Sequence, residues 1–145
     1  MTMVDVSAKP EILREATAAG TIKLKPQTVT LIRQSKIAKG DPLYTAKIAG
    51  ILAAKKTSEL VPLCHPLPLT KVDVEAKVVD ETTVEAVAVV KTKAQTGVEM
   101  EALTAVSAAL LTVWDMTKQY EKDADGQYPS TAILDIHVVK KFKQV

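Results

Sequence analysis

The sequence predicts an α+β fold in which an antiparallel sheet is backed by helices. Three observations carry that expectation: four stretches alternate apolar and polar residues with a period of two, Thr96 to Lys118 reads as one 23-residue helix, and the elements follow the order β-α-α-β-β-α-β. Setting aside one extra helix, that order is the split β-α-β pattern of a ferredoxin-like sandwich. Such an architecture hosts many functions and names none of them.

Residues 1–10 read as an irregular arm ending in Lys9-Pro10. From Ile12 to Leu24, Ala16, Ala18, Gly20, Ile22 and Leu24 alternate with polar residues, as in a half-buried strand. Pro26 stops it, and Gln27 to Lys36 forms a short helix with Val29 and Ile32 on neighbouring turns. Asp41-Pro42 is a helix start, since Asp caps free N–H groups and Pro suits the first helical position. That helix is expected to run to about Ser58. Ala46, Gly50 and Ala54 recur within it every four residues, a smooth stripe for a close backbone approach. Three prolines between Val61 and Leu69 dictate a stiff, extended connector. Val72–Val79 and Thr83–Lys93 alternate as a strand pair around an Asp80-Glu81-Thr82 turn, and Thr131–Lys140 is the last strand after a polar loop.

With 145 residues, 47% of them hydrophobic and 25% charged, the chain has the size and composition of one ordinary folded domain. Aromatic residues are only 3%, so Ala, Val, Leu and Ile must fill the core and few rings are left for base stacking. A net charge of +2 points to neither nucleic acid nor membrane. The single Cys64 excludes an intrachain disulfide and fits a reducing cytoplasm; Asp5 and Lys9 interrupt the N-terminus before a signal peptide could develop.

The long helix is uncharged from Ala102 to Trp114, thirteen residues, which is too short for the roughly 20 that span a bilayer. Its ends are charged. Thr96 and Glu99 have capping-box spacing, so Glu99 serves either as a cap or as a ligand contact. Glu101 and Asp115 are fourteen residues apart, within about 40° on one face but roughly 21 Å apart along the axis. One small site cannot use both from one chain; a twofold-related copy packed antiparallel would bring Glu101 of one chain to Asp115 and Lys118 of the other. The plainer reading of Asp115 and Lys118 is a surface pair. Leu103, Val106, Leu110 and Val113 on the opposite face should pack on the sheet.

Cys64-His65, between prolines, is a poor metal motif, because zinc needs three or four ligands and the only other histidine is His137. His65 fits better as a ligand contact or proton-transfer group, or as a structural histidine. Lys39, beside Gly40 at a helix start, could reach a phosphate, with Lys55 and Lys56 adding charge. No phosphate-binding P-loop, dinucleotide fingerprint or Ser-His-Asp grouping occurs.

Six ordered motifs together resemble the cyclic pyranopterin monophosphate synthases, the C proteins of molybdenum-cofactor biosynthesis: Asp5-Val-Ser-Ala-Lys9, Lys39-Gly-Asp41, Ala46-Lys-Ile-Ala-Gly50, Pro62-Leu-Cys-His-Pro66, Thr96-Gly-Val-Glu-Met-Glu-Ala-Leu-Thr104 and Asp115-Met-x-Lys118. The resemblance spans nearly the whole chain. It implies a ferredoxin-like hexamer, a trimer of dimers with interfacial sites, that converts 3′,8-cyclo-7,8-dihydro-GTP to cyclic pyranopterin monophosphate and pyrophosphate. By matching position, it implies catalytic Asp115 with Lys118 beside it. It implies substrate binding by Leu63, Cys64, His65, Met100, Glu101, Lys39, Lys55, Arg14 and Glu99. His65 and Lys39 are expected from one chain, Asp115 and Lys118 from a neighbour. No resident cofactor or metal site is implied, only Mg²⁺ as a companion of the triphosphate substrate. The chain departs from the family pattern at Gln95, where many members have Lys, and at its C-terminus, Val138-Val-Lys-Lys-Phe-Lys143-Gln-Val145, in place of a Gly-Lys-Ser-Gly-like loop. A nucleic-acid-binding module is the rival from another class. It requires exposed aromatics on the strands, and the only Phe is Phe142. A non-catalytic structural oligomer is the second rival, opposed by the intact Asp115, Lys118 and His65.

Overall fold

The computed structural model describes residues 1–145. Its elements are β1 (Ile12–Lys23), α1 (Pro26–Arg33), α2 (Pro42–Lys55), α3 (Thr57–Leu60), β2 (Leu69–Asp80), β3 (Thr83–Ala94), α4 (Glu99–Glu121) and β4 (Ala132–Lys143). The strands form one antiparallel sheet in the order β2-β3-β1-β4, the expected split β-α-β arrangement. No helix is long and apolar enough to cross a membrane.

The core is aliphatic and small. Ala16, Ala18 and Ile22 of β1 and Val84, Ala86, Ala88 and Val90 of β3 are buried beneath Ala102, Ala105, Val106, Ala109, Leu110 and Val113 of α4. Leu103, expected on that buried face, is only half-buried. α2 lies beside α4 through the predicted stripe of Ala46, Gly50 and Ala54, all buried. A methyl group at Gly50 would meet the Ala105 carbonyl oxygen at 3.0 Å and a Val74 methyl at 2.9 Å. Only a residue without a side chain lets α2 sit this close to α4 and β2.

Asp41 caps α2 as its spacing predicts, its carboxylate accepting from the N–H groups of Leu43 (2.9 Å) and Tyr44 (3.2 Å). α2 ends at Lys55 rather than Ser58, and a single turn, α3, follows it. The Thr57 hydroxyl donates to the carbonyls of Ala53 and Ala54, adding to the bond from the Lys56 N–H at the helix end.

The long helix has the expected 23 residues but is shifted three positions along the chain. Val98 is its N-cap and no side chain caps it, so the Thr96–Glu99 capping box does not form. Glu99 occupies the first helical position, where its carboxylate cannot complete a box that needs the third. At the other end the helix continues past Lys118 to a fully buried carboxylate. Glu121 accepts from the Lys25 N–H (3.0 and 3.2 Å), the Thr131 hydroxyl (2.6 Å) and the Thr28 hydroxyl. It ties the start of α1 and the start of β4 to the end of α4.

β4 ends three residues later than expected, at Lys143, and carries two register shifts against β1, between Thr17 and Ala18 and between Ala19 and Thr21. Asp135, in the second irregularity, has φ of 56°. Such bulges turn the following side chains to the other face of the sheet.

Glu121→Ala should lower stability by roughly 3 kcal/mol or more, because it strands one amide and two hydroxyls without water. A urea midpoint within the error of the parent would contradict this account of the network.

Candidate functional site

The candidate residues gather at the two ends of α4. At the C-terminal end, the Asp115 carboxylate accepts from Lys118 Nζ at 3.1 Å and from Lys39 Nζ at 3.1 Å, and Lys39 also reaches the Asp115 carbonyl at 3.0 Å. Lys118 arrives there by helical geometry, one turn on from Asp115. Lys39 arrives by loop placement. Tyr120, on the same helix, accepts from the Ala38 N–H at 2.8 Å, and Gly40 (φ 116°) turns the chain sharply into α2. The two ammonium groups, Lys118 first, hold the Asp115 carboxyl below the usual carboxylate range, so it is ionised at neutral pH. All three side chains remain half-exposed. Leu111, Trp114, Tyr128 and Ile133 join Asp115 and Lys118 around an open cavity of about 420 Å³. Trp114 and Tyr128 meet edge to face at 5.1 Å.

At the N-terminal end, the proline-rich connector folds over the first turn of α4. Leu63, Cys64, His65, Glu99 and Met100 line a second cavity of about 430 Å³, joined by Val4, Val6 and Lys9 of the N-terminal arm. His65 Nε2 donates to the Val4 carbonyl at 2.7 Å. Glu101 lies beneath this layer, only 3% exposed. Its Oε2 faces Cys64 Sγ at 3.8 Å, and its Oε1 is buried with no hydrogen-bond partner in the chain. Burial pushes the Glu101 carboxyl up from its ordinary value. Burial and, next, the neighbouring Glu101 charge push the Cys64 thiol up as well. Cys64 is therefore a neutral thiol packed on an acid, not an activated nucleophile.

One expectation needs correcting. Lys39 belongs with Asp115 of its own chain rather than with His65, because the Ala38–Tyr120 bond draws its loop to the far end of α4. Arg14 is buried, and its guanidinium is engaged by the carbonyls of Ala94 (3.0 Å) and Gln95 (3.2 Å), where it braces the loop leading into α4. Lys55 lines a groove with Ile51, Leu67 and Leu69, and Leu67 also lines the cavity of Cys64 and His65. Glu101 and Asp115 are angularly aligned, yet one is covered by its own connector and the other is open. Tyr120 and Tyr128 were not singled out by the sequence; each comes to its cluster through tertiary contact, which spacing does not encode. A larger cavity of about 560 Å³ between the α1–α2 loop and β2 contains none of the candidate residues. No group of three or more His, Cys, Asp and Glu side chains is arranged to hold a metal ion.

Fold and clusters together define a ferredoxin-like α+β protein with an acid–lysine group at one end of its central helix and a His–Glu cavity at the other. Residues 3–143 match the MoaC family, and the chain belongs to that family. It is 55% identical over 141 residues to a Sulfurisphaera tokodaii protein named probable cyclic pyranopterin monophosphate synthase, covering 97% of this chain and 93% of that one. A Sulfolobus acidocaldarius protein of the same name is likewise 55% identical, covering 97% and 98%. A Methanothermobacter thermautotrophicus protein, named probable cyclic pyranopterin monophosphate synthase accessory protein, is 57% identical, covering 97% and 88%.

Replacing Glu101 with Gln removes the charge that opposes Cys64 ionisation, so the thiol pKa should fall. Iodoacetamide alkylation of Cys64, followed against pH, should shift to lower pH in E101Q; an unmoved profile would separate the two groups.

Proposed function

We propose that this chain is a cyclic pyranopterin monophosphate synthase, a lyase that converts (8S)-3′,8-cyclo-7,8-dihydroguanosine 5′-triphosphate to cyclic pyranopterin monophosphate and pyrophosphate, an early step of molybdenum-cofactor biosynthesis. The observation that carries the reading is the separation of two incomplete clusters. Asp115, Lys118 and Lys39 hold an ionised acid against two cations, while Glu101, under the connector that carries His65, stands about 21 Å away along the same helix. Each becomes a full site only when joined to its counterpart on a second chain. Exposed Tyr44, Ile48 and Leu52 on α2 and Leu111 on α4 supply apolar surface for such a contact. The working protein is then a homo-oligomer, a hexamer built as a trimer of dimers, acting in the cytoplasm.

The residue types suit the reaction. Closing the cyclic phosphate forms one bond from a substrate hydroxyl to the α-phosphorus and breaks the bond to the departing pyrophosphate. Negative charge builds on the leaving group, and Lys39 and Lys118 neutralise it. Ionised Asp115 accepts a proton while Lys118, its partner, supplies one, both sharpened by burial under substrate and the second chain. The unpartnered Glu101 Oε1 is a buried oxygen whose missing bond a substrate N–H or O–H would complete. Glu99, Met100, Leu63 and Cys64 shape the surrounding wall.

Asp115→Ala should leave the oligomer assembled, by light scattering, and lower pyranopterin formation by about 10³-fold or more. Retained turnover would remove Asp115 from the chemistry. Co-assembling D115A with H65A chains tests the sharing directly. Random pairing in a twofold dimer should restore about a quarter of the wild-type rate, whereas sites complete within one chain would stay inactive in every mixture.

A further inference from the structure

Glu99 is held in place by two groups that no functional role yet accounts for. Its carboxylate folds back over Gly97, where an added methyl group would meet Glu99 Cδ and Oε2 at 2.8 Å and Oε1 closer still. On its other side Lys141 Nζ lies 3.3 Å from Oε1. Lys141 reaches this helix face because of the bulge in β4. Register runs from Ala18 opposite Val138 to Thr17 opposite Lys140, skipping Val139. The skipped residue puts Lys141 opposite Ala16, whose side chain is buried under the helices, and sends Phe142 to the other face opposite Glu15. With a continuous ladder Lys141 would point away from α4. Gly97 and Glu99 themselves line the cavity that contains Cys64, His65 and Met100.

We propose that Gly97 and Lys141 are positioning residues that fix the Glu99 carboxylate at the wall of the substrate cavity, Gly97 by leaving it room and Lys141 by drawing it there. The role rests on the synthase reading for its substrate, while the geometry it claims is independent of turnover. Two features favour placement over fold stability. The pair is solvent-accessible, with side-chain exposures of 61% and 27%, and exposed ion pairs add little to stability. The group displaced by a Gly97 methyl is the end of a flexible side chain, which can swing away without disturbing the backbone. Glu99 therefore gives up conformational freedom before substrate arrives, as preorganised binding groups do.

Gly97→Ala moves the carboxylate without changing any charge, and Lys141→Met removes the cation without adding bulk at the cavity. Both variants should raise KM for the cyclised GTP by about tenfold while keeping kcat and melting temperature close to the parent. Lys141→Arg, which keeps the ion pair, should restore KM. Damage to the fold alone would lower the active fraction, and hence the apparent kcat, with KM unmoved. Crystal structures of G97A and K141M provide the second arm, in which the Glu99 carboxylate should have left its seat over residue 97. Parent-like KM in both variants would overturn the proposal. If the wild-type protein fails to turn over this substrate, the synthase reading falls, and the crystal arm still decides: a carboxylate that stays in place in both variants sinks the clamp.

Discussion

The approach of α2 to α4 across Gly50 and Ala105 is the contact on which the rest of the chain depends. A core with so few aromatic rings has little bulk to bridge wide gaps, so its layers must come close. Ala46, Gly50 and Ala54 on one helix and Ala102, Ala105 and Ala109 on the other allow it, with Ala16, Ala18, Ala86 and Ala88 beneath them. Small residues gain little per side chain, but close packing brings many backbone atoms within dispersion range. The cost is intolerance of bulk at these positions. The benefit is a central helix so firmly seated that its termini can carry charge.

Those two termini have opposite electrostatic characters. At the C-terminal end an exposed acid is matched by two ammonium groups and stays ionised. At the N-terminal end an acid is sealed under the connector beside a thiol, and both are driven toward their neutral forms. A third acid on the same helix, Glu121, is as deeply buried as any residue in the chain, yet three donors satisfy it and it serves the fold. Three carboxylates on one helix thus have three different duties, set by what the surrounding loops bring to them.

Much of this was legible in the sequence. Period-two alternation located all four strands, and Asp41-Pro42 located the start of α2, because those signals are local. The Asp115–Lys118 pair was legible for the same reason, being fixed by one helical turn. What escaped depended on contacts between distant segments. The capping box was read from spacing alone, but the loop before α4, braced by Arg14 on Ala94 and Gln95, delays the helix until Glu99. Lys39 was assigned to the wrong end because a loop's direction is set by its tether, here Tyr120. The β4 bulges leave no clear composition signature; Asp135 enters positive φ without a glycine to announce it.

The unbroken run of α4 from Glu99 to Glu121 also limits how this chain can change. One residue inserted between Glu101 and Asp115 would rotate one terminus by about 100° relative to the other and lengthen the rod by about 1.5 Å. His65 and Cys64 would keep company with Glu101, and Lys39 would lose Asp115 or drag its loop with it. Substitution among the small residues is restricted by volume, but insertion and deletion are restricted by phase. The helix behaves as a ruler with a fixed number of divisions, and lineages descending from this chain should vary in its side chains long before they vary in its length.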